Sequence, residues 1–171
     1  MSFLKQKTIN NKIKLEGVGL HSGKLAKLSI LPADPNTGII FIRTDLNKNN
    51  IVKPSVENVS KAVLCTTIAN EHGVQISTLE HLMGAFFGLG IDNAIVEVNA
   101  EEIPILDGSA KIFVNEILKA GIKISEVPIK VIRINEKIEF TDGEKITAIS
   151  TTRDLEVGFT IRPVVSSGTV T

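Results

Sequence analysis

The stretch from residue 76 to residue 90, ISTLEHLMGAFFGLG, constrains the fold more than any other part of the chain. Ser77 is followed three residues later by Glu80, a spacing typical of a capping box, so we predict that a helix begins at Ser77. Apolar residues then recur at the spacing of one buried helical stripe. They are Leu79, Leu82, Met83 and Phe86. The stretch therefore predicts a helix from Ser77 to about Leu89 that packs on the core through this stripe.

A different face of the predicted helix carries small residues beside one histidine. His81, Gly84, Ala85 and Gly88 fall on this face, which is nearly bare. A metal ion, a substrate or another helix would fit against it. The positive end of the helix dipole favours a carboxylate at Glu80 and a neutral imidazole at His81, an arrangement that suits a zinc ligand beside a general base. The alternative stays open here: Glu80 closes the capping box, and His81 is a buried polar residue.

The composition excludes several classes of protein. The chain of 171 residues has 19 basic and 19 acidic residues without a block of like charge, so neither a nucleic-acid footprint nor a polybasic membrane anchor is indicated. Its single cysteine, Cys65, excludes an internal disulfide and fits a reducing compartment. The N-terminus lacks the apolar core of a signal peptide, and no apolar run is long enough to span a bilayer. We expect a cytoplasmic α+β protein with no transmembrane segment.

A glycine-rich loop from Gly17 to Gly23, GVGLHSG, holds a further candidate residue. Three glycines in seven residues indicate a tight turn or close approach to another group. His21 stands at the tip of the loop, where a ligand role and simple solvation are equally open.

A hairpin is predicted between strands at residues 63–68 and 74–76, with Asn70 to Gly73 as its turn. His72 lies on this turn and is interpreted as structural. Cys65 is predicted to lie on the first of the two strands. A free cysteine is more often a small buried residue than a nucleophile, and no nearby basic residue argues for a lowered pKa.

The remaining pattern up to residue 124 predicts strands in four more segments and a second helix. The strands are expected at residues 5–15 (one or two strands), 24–31, 39–43 and 93–99. Ser109 is predicted to cap a helix from about Ala110 to Ala120, which ends before Gly121. Asp107 either stabilises the start of this helix or supports the active site. Residues 1–124 are therefore predicted to form an α+β domain, a two-layer sandwich of a mixed sheet with two helices on one face.

Residues 125–171 are predicted to be the incomplete start of a second, similar domain. Ser125 to Pro128 is interpreted as a linker. Further strands are expected at residues 130–140, 145–150 and 156–161, with a turn at Asp142 and Gly143. The stretch from Val157 to Pro163 weakly echoes the stretch from Ala26 to Pro32, which suggests an internal duplication.

Five blocks, in order, resemble one family of zinc-dependent enzymes. They are Gly17–Gly23, Leu64–Thr67, Ile76–Leu82, Gly88–Asn93 and Ile103–Ala110. The family comprises the UDP-3-O-acyl-N-acetylglucosamine deacetylases of lipid A biosynthesis in Gram-negative bacteria. The resemblance implies two similar α+β domains whose helical layers face each other. It also implies hydrolysis of the N-acetyl group of UDP-3-O-(3-hydroxyacyl)-N-acetylglucosamine, with release of acetate.

The resemblance implies a role for several residues of this chain. His81 would be a ligand of Zn²⁺, and Glu80 would be the base that activates the zinc-bound water. Substrate-binding residues are implied on two loops: Leu20 and His21 on the glycine-rich loop, and Leu64 and Cys65 near the metal and the acyl chain.

One departure from the family's pattern sets a limit on this expectation. The family takes two more zinc ligands from a His-x-x-x-Asp helix of its second domain, whereas the histidines here are His21, His72 and His81. We therefore expect an N-terminal fragment that is inactive alone. The alternative is a non-catalytic binding domain that retains the fold without the metal site. A nucleic-acid-binding module is disfavoured because the net charge is zero and the chain has no Tyr or Trp for base stacking.

Overall fold

The computed structural model describes residues 4–150. The chain divides into two compact units, Met1–Ile129 and Lys130–Thr171. In the described residues, neither helix has the length and apolar character needed to cross a membrane. The strands and helices are β1 (Lys5–Ile9), β2 (Ile13–Val18), β3 (Leu25–Pro32), β4 (Ile39–Arg43), β5 (Ile51–Val52), β6 (Val59–Lys61), β7 (Thr67–Ala69), β8 (Gln75–Ser77), α1 (Glu80–Leu89), β9 (Ala94–Val98), α2 (Lys111–Ala120), β10 (Ile122–Pro128), β11 (Ile138–Asp142) and β12 (Lys145–Ile149), with a short 3-10 turn at Val56–Asn58.

The first unit is built on a five-stranded mixed sheet in the order β2-β3-β9-β4-β5. Strands β9 and β4 run parallel, and the other neighbours run antiparallel. Along β3 the side chains of Ala26, Leu28 and Ile30 are buried, whereas Lys27 between them is exposed, which is the alternation of a sheet with one covered face. The buried side chains form one core with those of α1 and α2. The predicted α+β class, a mixed sheet with two helices on one face, is confirmed.

A two-stranded ribbon of β1 and β10 joins this core through a buried polar network. The side chain of Gln6 accepts hydrogen bonds from Asn93 Nδ2 and from the Asn36 amide, 3.0 and 2.8 Å long. Its own amide donates to the carbonyl of Pro128 at 3.0 Å. Gln6 and Asn93 are both buried, so these hydrogen bonds satisfy groups that would otherwise be costly to desolvate.

The predicted linker from Ser125 to Pro128 is wrong. These residues form the second half of β10, and β10 pairs antiparallel with β1, with Pro128 opposite Lys5 and Ile122 opposite Ile9. The physical reason is the long sequence separation. The hydrogen-bonding edge that β1 offers cannot be seen from the composition of a segment more than a hundred residues later.

The two helices begin later than predicted. Helix α1 begins at Glu80, and its N-cap residue, Leu79, makes no side-chain capping hydrogen bond. The capping box at Ser77 is therefore wrong: the Ser77 amide donates to the Glu101 carbonyl at 2.8 Å, and strand pairing takes the residue into β8. Helix α2 begins at Lys111 as expected to within one residue, but its N-cap is Ala110, without a side-chain cap, rather than Ser109.

The described part of the second unit is a hairpin. Strands β11 and β12 pair antiparallel from Ile138 opposite Ile149 to Asp142 opposite Lys145, and Gly143 in the turn has a φ of 58°. The turn is confirmed, but residues 130–137 do not form the predicted strand. The strand predicted at 156–161 and the echo at 157–163 lie outside the described residues.

Candidate active site

The first turn of α1 presents Glu80 and His81 side by side, and both side chains are half-buried. The Oε2 atom of Glu80 accepts a hydrogen bond of 3.1 Å from the amide of Thr66. In the described part of the chain, the imidazole of His81 makes no hydrogen bond. Every fully buried side-chain nitrogen or oxygen there has a hydrogen-bond partner, so the unpartnered nitrogens of His81 are not fully buried. The imidazole nitrogens of His81 are therefore accessible to a ligand.

The face of α1 beyond His81 is bare, as the sequence predicted, with one exception. Gly84 and Gly88 are exposed, and a Cβ atom added to either would meet no atom within 4 Å. Phe87 on the same side is 75% exposed. Ala85 is the exception, because it is fully buried in the core. The prediction for Ala85 is wrong because the buried stripe is one residue wider than the apolar spacing indicated.

A cleft of about 530 Å³ reaches Ser77, three residues before this turn, but neither Glu80 nor His81 lines it. Two loops line it together with residues of β6, β7 and β8 and with Glu101 and Glu102. The glycine loop, residues 19–23, contributes His21 and Ser22, and the Leu64 loop, residues 62–66, contributes Leu64 and Cys65. The structure thus brings together three of the four residues expected to bind substrate. The fourth, Leu20, is 60% exposed on the glycine loop but is not among the residues that line the cleft.

The Leu64 loop is irregular, so the prediction that Cys65 lies on a strand is wrong. The first hairpin strand, β7, begins only at Thr67, although the hairpin itself, with its turn after Asn70, is confirmed. Leu64 has a φ of 66° and is 88% exposed, an uncommon conformation and position for a leucine. Cys65 is half-buried, with its Sγ atom 3.8 Å from Thr67 Oγ1.

The glycine loop is tight because it packs against a carboxylate. A Cβ atom added to Gly19 would lie 2.3 Å from Oε2 of Glu102 and 2.4 Å from Oγ of Ser22. The close approach expected of this loop is therefore present at Gly19. The side chain of His21 is exposed at the tip.

Glu102 is a buried charged residue of the cleft that the sequence did not predict. Its carboxylate is buried, with 4% of the residue exposed, and accepts hydrogen bonds from the amides of His21 and Ser22 and from Oγ1 of Thr78, 3.0, 2.8 and 2.8 Å long. Burial alone would raise the pKa of this carboxyl, but the hydrogen bonds outweigh burial and lower the pKa to about 2. No local pattern marks this residue, because Glu102 and its neighbour Ile103 are both buried and strict alternation does not apply here.

Thr78 joins Glu102 to the start of α1. It is buried and has a φ of 59°, a strained conformation for a β-branched residue. Its amide donates to the carbonyl of Thr66 at 2.9 Å, and the amide of Thr66 in turn donates to Glu80. The turn before Glu80 is therefore held at both its side chain and its backbone.

Asp107 and His72 lie apart from this arrangement. Oδ1 of Asp107 accepts hydrogen bonds of 3.0 Å from the amide and the hydroxyl of Ser109, and the Ser109 hydroxyl accepts one from the Lys111 amide. These contacts correspond to the simpler of its two expected roles, support of the helix start. His72 lies exposed on the hairpin turn, 3.4 Å from the Glu71 carboxylate.

The residues around His81 fit one part of a metal site. Among residues 4–150 there is no group of three or more His, Cys, Asp or Glu side chains that could hold a metal ion. A catalytic zinc site normally takes three protein ligands. His81, with accessible nitrogens beside a bare helix face, fits a single ligand in such a set.

Comparisons with known proteins identify relatives of the chain. A model of the UDP-3-O-acyl N-acetylglycosamine deacetylase family matches residues 6–166. Proteins named UDP-3-O-acyl-N-acetylglucosamine deacetylase from Actinobacillus succinogenes and Haemophilus influenzae strain PittEE are each 46% identical over 158 residues, which are 92% of this chain and 52% of theirs. The one from Shewanella sp. strain ANA-3 is 44% identical over 156 residues, 91% of this chain and 51% of its own.

The chain belongs to the UDP-3-O-acyl N-acetylglycosamine deacetylase family, and the resemblance seen in the five sequence blocks is confirmed. The chain spans about half the length of the curated relatives it matches.

Proposed function

We propose that this chain is the N-terminal half of a zinc-dependent deacetylase. The enzyme would remove the N-acetyl group from UDP-3-O-(3-hydroxyacyl)-N-acetylglucosamine and release acetate, a step of lipid A biosynthesis. Family membership and the names of the relatives support the proposal. The observation that carries it is the first turn of α1, where Glu80 and His81 stand beside a bare helix face. The division into a first α+β domain and the start of a second, similar one is part of the same proposal.

In this mechanism His81 and Glu80 of α1 have different roles. His81 would hold zinc through its imidazole, and zinc, when bound, polarises the amide carbonyl and lowers the pKa of its water to about 7. Glu80 takes the proton from the attacking water and acts as the general base. The hydrogen bond from Thr66 fixes the orientation of the Glu80 carboxylate for this transfer.

The lining of the cleft supports an acylated UDP-sugar as the substrate. Val63 and Leu64 place exposed apolar side chains on one wall, 63% and 88% exposed. Burial of such side chains against an acyl chain is favourable because apolar surface leaves water. His21 and Ser22 on the opposite loop offer polar contacts to the sugar.

The missing zinc ligands define a first test. We propose that the further ligands lie outside this chain, so the 171-residue chain alone binds zinc weakly and releases no acetate. Calorimetric titration with zinc and an acetate assay measure both properties. Tight stoichiometric binding that is lost in His81→Ala, together with turnover, would show instead that the site is complete within this chain.

A second test addresses the base and requires the missing half. We define the completed enzyme as this chain joined to the part of the Haemophilus influenzae relative that it does not cover. In the completed enzyme, Glu80→Ala is expected to lower the rate of acetate release by about 10²–10⁴-fold, the usual contribution of a general base. The control is Glu16→Ala, which removes an exposed carboxylate on β2. Equal rates for Glu80→Ala and the parent would rule out Glu80 as the base, whereas a completed enzyme that releases no acetate would favour the alternative, a non-catalytic binding domain.

A further inference from the structure

Glu102 joins two segments that are far apart in sequence and meet at the cleft. One oxygen of its carboxylate accepts from the His21 amide and from Oγ1 of Thr78, and the other accepts from the Ser22 amide. The glycine loop and the turn before α1 therefore share one buried anion.

Two further hydrogen bonds connect Thr78, in the turn before α1, to the carboxylate of Glu80. The amide of Thr78 donates to the carbonyl of Thr66 at 2.9 Å, and the amide of the same residue, Thr66, donates to Glu80 Oε2 at 3.1 Å. The φ of 59° at Thr78 is costly for a β-branched residue, so the turn needs an outside partner to keep its shape. In the described residues, Glu102 is the hydrogen-bond partner of the Thr78 hydroxyl.

We propose that Glu102 is a positioning residue for the reaction: through Thr78 and Thr66 it sets the place of the Glu80 carboxylate, and through two amides it sets the place of His21. The proposal rests on the proposed function, since Glu80 is the base only there. Glu102 itself need not touch the substrate. A misplacement of about 1 Å at a reacting group can cost about a hundredfold in rate, so such a fixed path is sufficient to affect catalysis.

The negative charge at residue 102 is essential to this arrangement. A carboxylate can accept from all three donors at once, whereas an amide of the same shape has one accepting oxygen and turns its NH2 group towards at least one of the donors. Glu102→Gln therefore weakens the junction with little change in volume. Thr78→Val removes the hydroxyl and keeps the shape of the side chain, whereas Thr78→Ser keeps the hydroxyl.

The first experiment uses the 171-residue chain and measures amide hydrogen exchange by NMR. Glu102→Gln is expected to lower the protection of the His21, Ser22 and Thr66 amides by about tenfold, the typical factor for a hydrogen bond to a charged group. The Val96 amide, in the central strand β9, should not change. Thr78→Val should reproduce the loss at Thr66, and Thr78→Ser should not. Equal losses at Val96 and Thr66, or an unchanged Thr66 amide, would overturn the proposal.

The second experiment uses the completed enzyme and separates kcat from KM. Glu102→Gln is expected to lower kcat by about ten- to a hundredfold, while KM changes less than about twofold. Glu97→Gln, which removes another partly buried carboxylate outside the cleft, should leave both constants unchanged. If Glu80→Ala lowers kcat and Glu102→Gln does not, the positioning role is wrong and the proposed function stands. If Glu80→Ala has no effect, Glu80 is not the base; if the parent releases no acetate, the proposed function fails. In either case the exchange data still decide whether Glu102 controls the Glu80 contact.

Discussion

The two loops that line the cleft differ in the hydrogen bonds that fix them. The buried carboxylate of Glu102 holds the glycine loop by accepting hydrogen bonds from the amides of His21 and Ser22. The amide of Gly19 also donates a hydrogen bond to the carbonyl of Lys24. The Leu64 loop is held at one end, where the Thr66 amide donates to Glu80, and exposes Leu64 almost completely. The same cleft thus has one wall fixed by buried polar contacts and one wall of exposed apolar side chains.

The difference teaches what each wall contributes. Buried hydrogen bonds to a charge stabilise the fold and fix a geometry, since breaking them leaves a desolvated group without a partner. An exposed leucine contributes little to the fold and is available to a ligand. We therefore expect changes in the glycine loop to alter the free energy of unfolding, and changes in the Leu64 loop to alter binding instead.

The largest effect is expected from Gly19→Ala. The added Cβ would lie 2.3 Å from a carboxylate oxygen of Glu102, so the loop or Glu102 must move. We expect a loss of about 3 kcal/mol in the free energy of unfolding, at the upper end for overpacking, as measured by urea denaturation. Gly84→Ala is the matched control. Its Cβ meets nothing, and a helix gains about 1 kcal/mol when alanine replaces glycine. A stable Gly19→Ala variant would mean that the glycine loop is no more fixed than the Leu64 loop.

The next effect is a pH dependence that belongs to the glycine loop. The pKa of Glu102 is lowered to about 2 in the folded chain from 4.5, so its stabilising contribution is complete above pH 4.5 and is lost as the pH falls towards 2. Between pH 6 and pH 3 we expect the parent to lose about 2 kcal/mol more than Glu102→Gln. Asp45, whose pKa is also lowered, chiefly by its hydrogen bond from Arg43, contributes equally in both proteins and cancels in the comparison. Parallel pH curves for the two proteins would contradict the charged junction.

The smallest effect on stability is expected from Leu64→Ala. Because Leu64 is 88% exposed, the free energy of unfolding should change by less than about 0.5 kcal/mol. In the completed enzyme the same substitution should raise KM for the acylated substrate by about tenfold, since apolar contact with the acyl chain is lost. The control is Val56→Ala, which truncates another exposed apolar side chain outside the cleft. A large loss of stability without a change in KM would assign Leu64 to the fold.

Much of the fold could be predicted from local sequence patterns. The alternation along β3 and β9 and the stripe of Leu82 and Phe86 identify the buried faces, because the periods of strands and helices are properties of the chain itself. The ends of the helices and strands were harder to predict. Ser77 has the spacing of a cap, yet pairing with Thr67 of β7 and a bridge to Glu102 take it into a strand. Ser125 to Pro128 likewise pair with β1.

The candidate site divides in the same way. Glu80 and His81 are adjacent in sequence, so any helix there presents them together, and the sequence by itself determined this pair. The junction at Glu102 was decided only by the tertiary structure. Its donors lie on residues 21, 22 and 78, and their meeting depends on how β2, the turn before α1 and the segment after β9 pack. A buried charge is stable only where such donors converge, and no local sequence pattern reports that convergence.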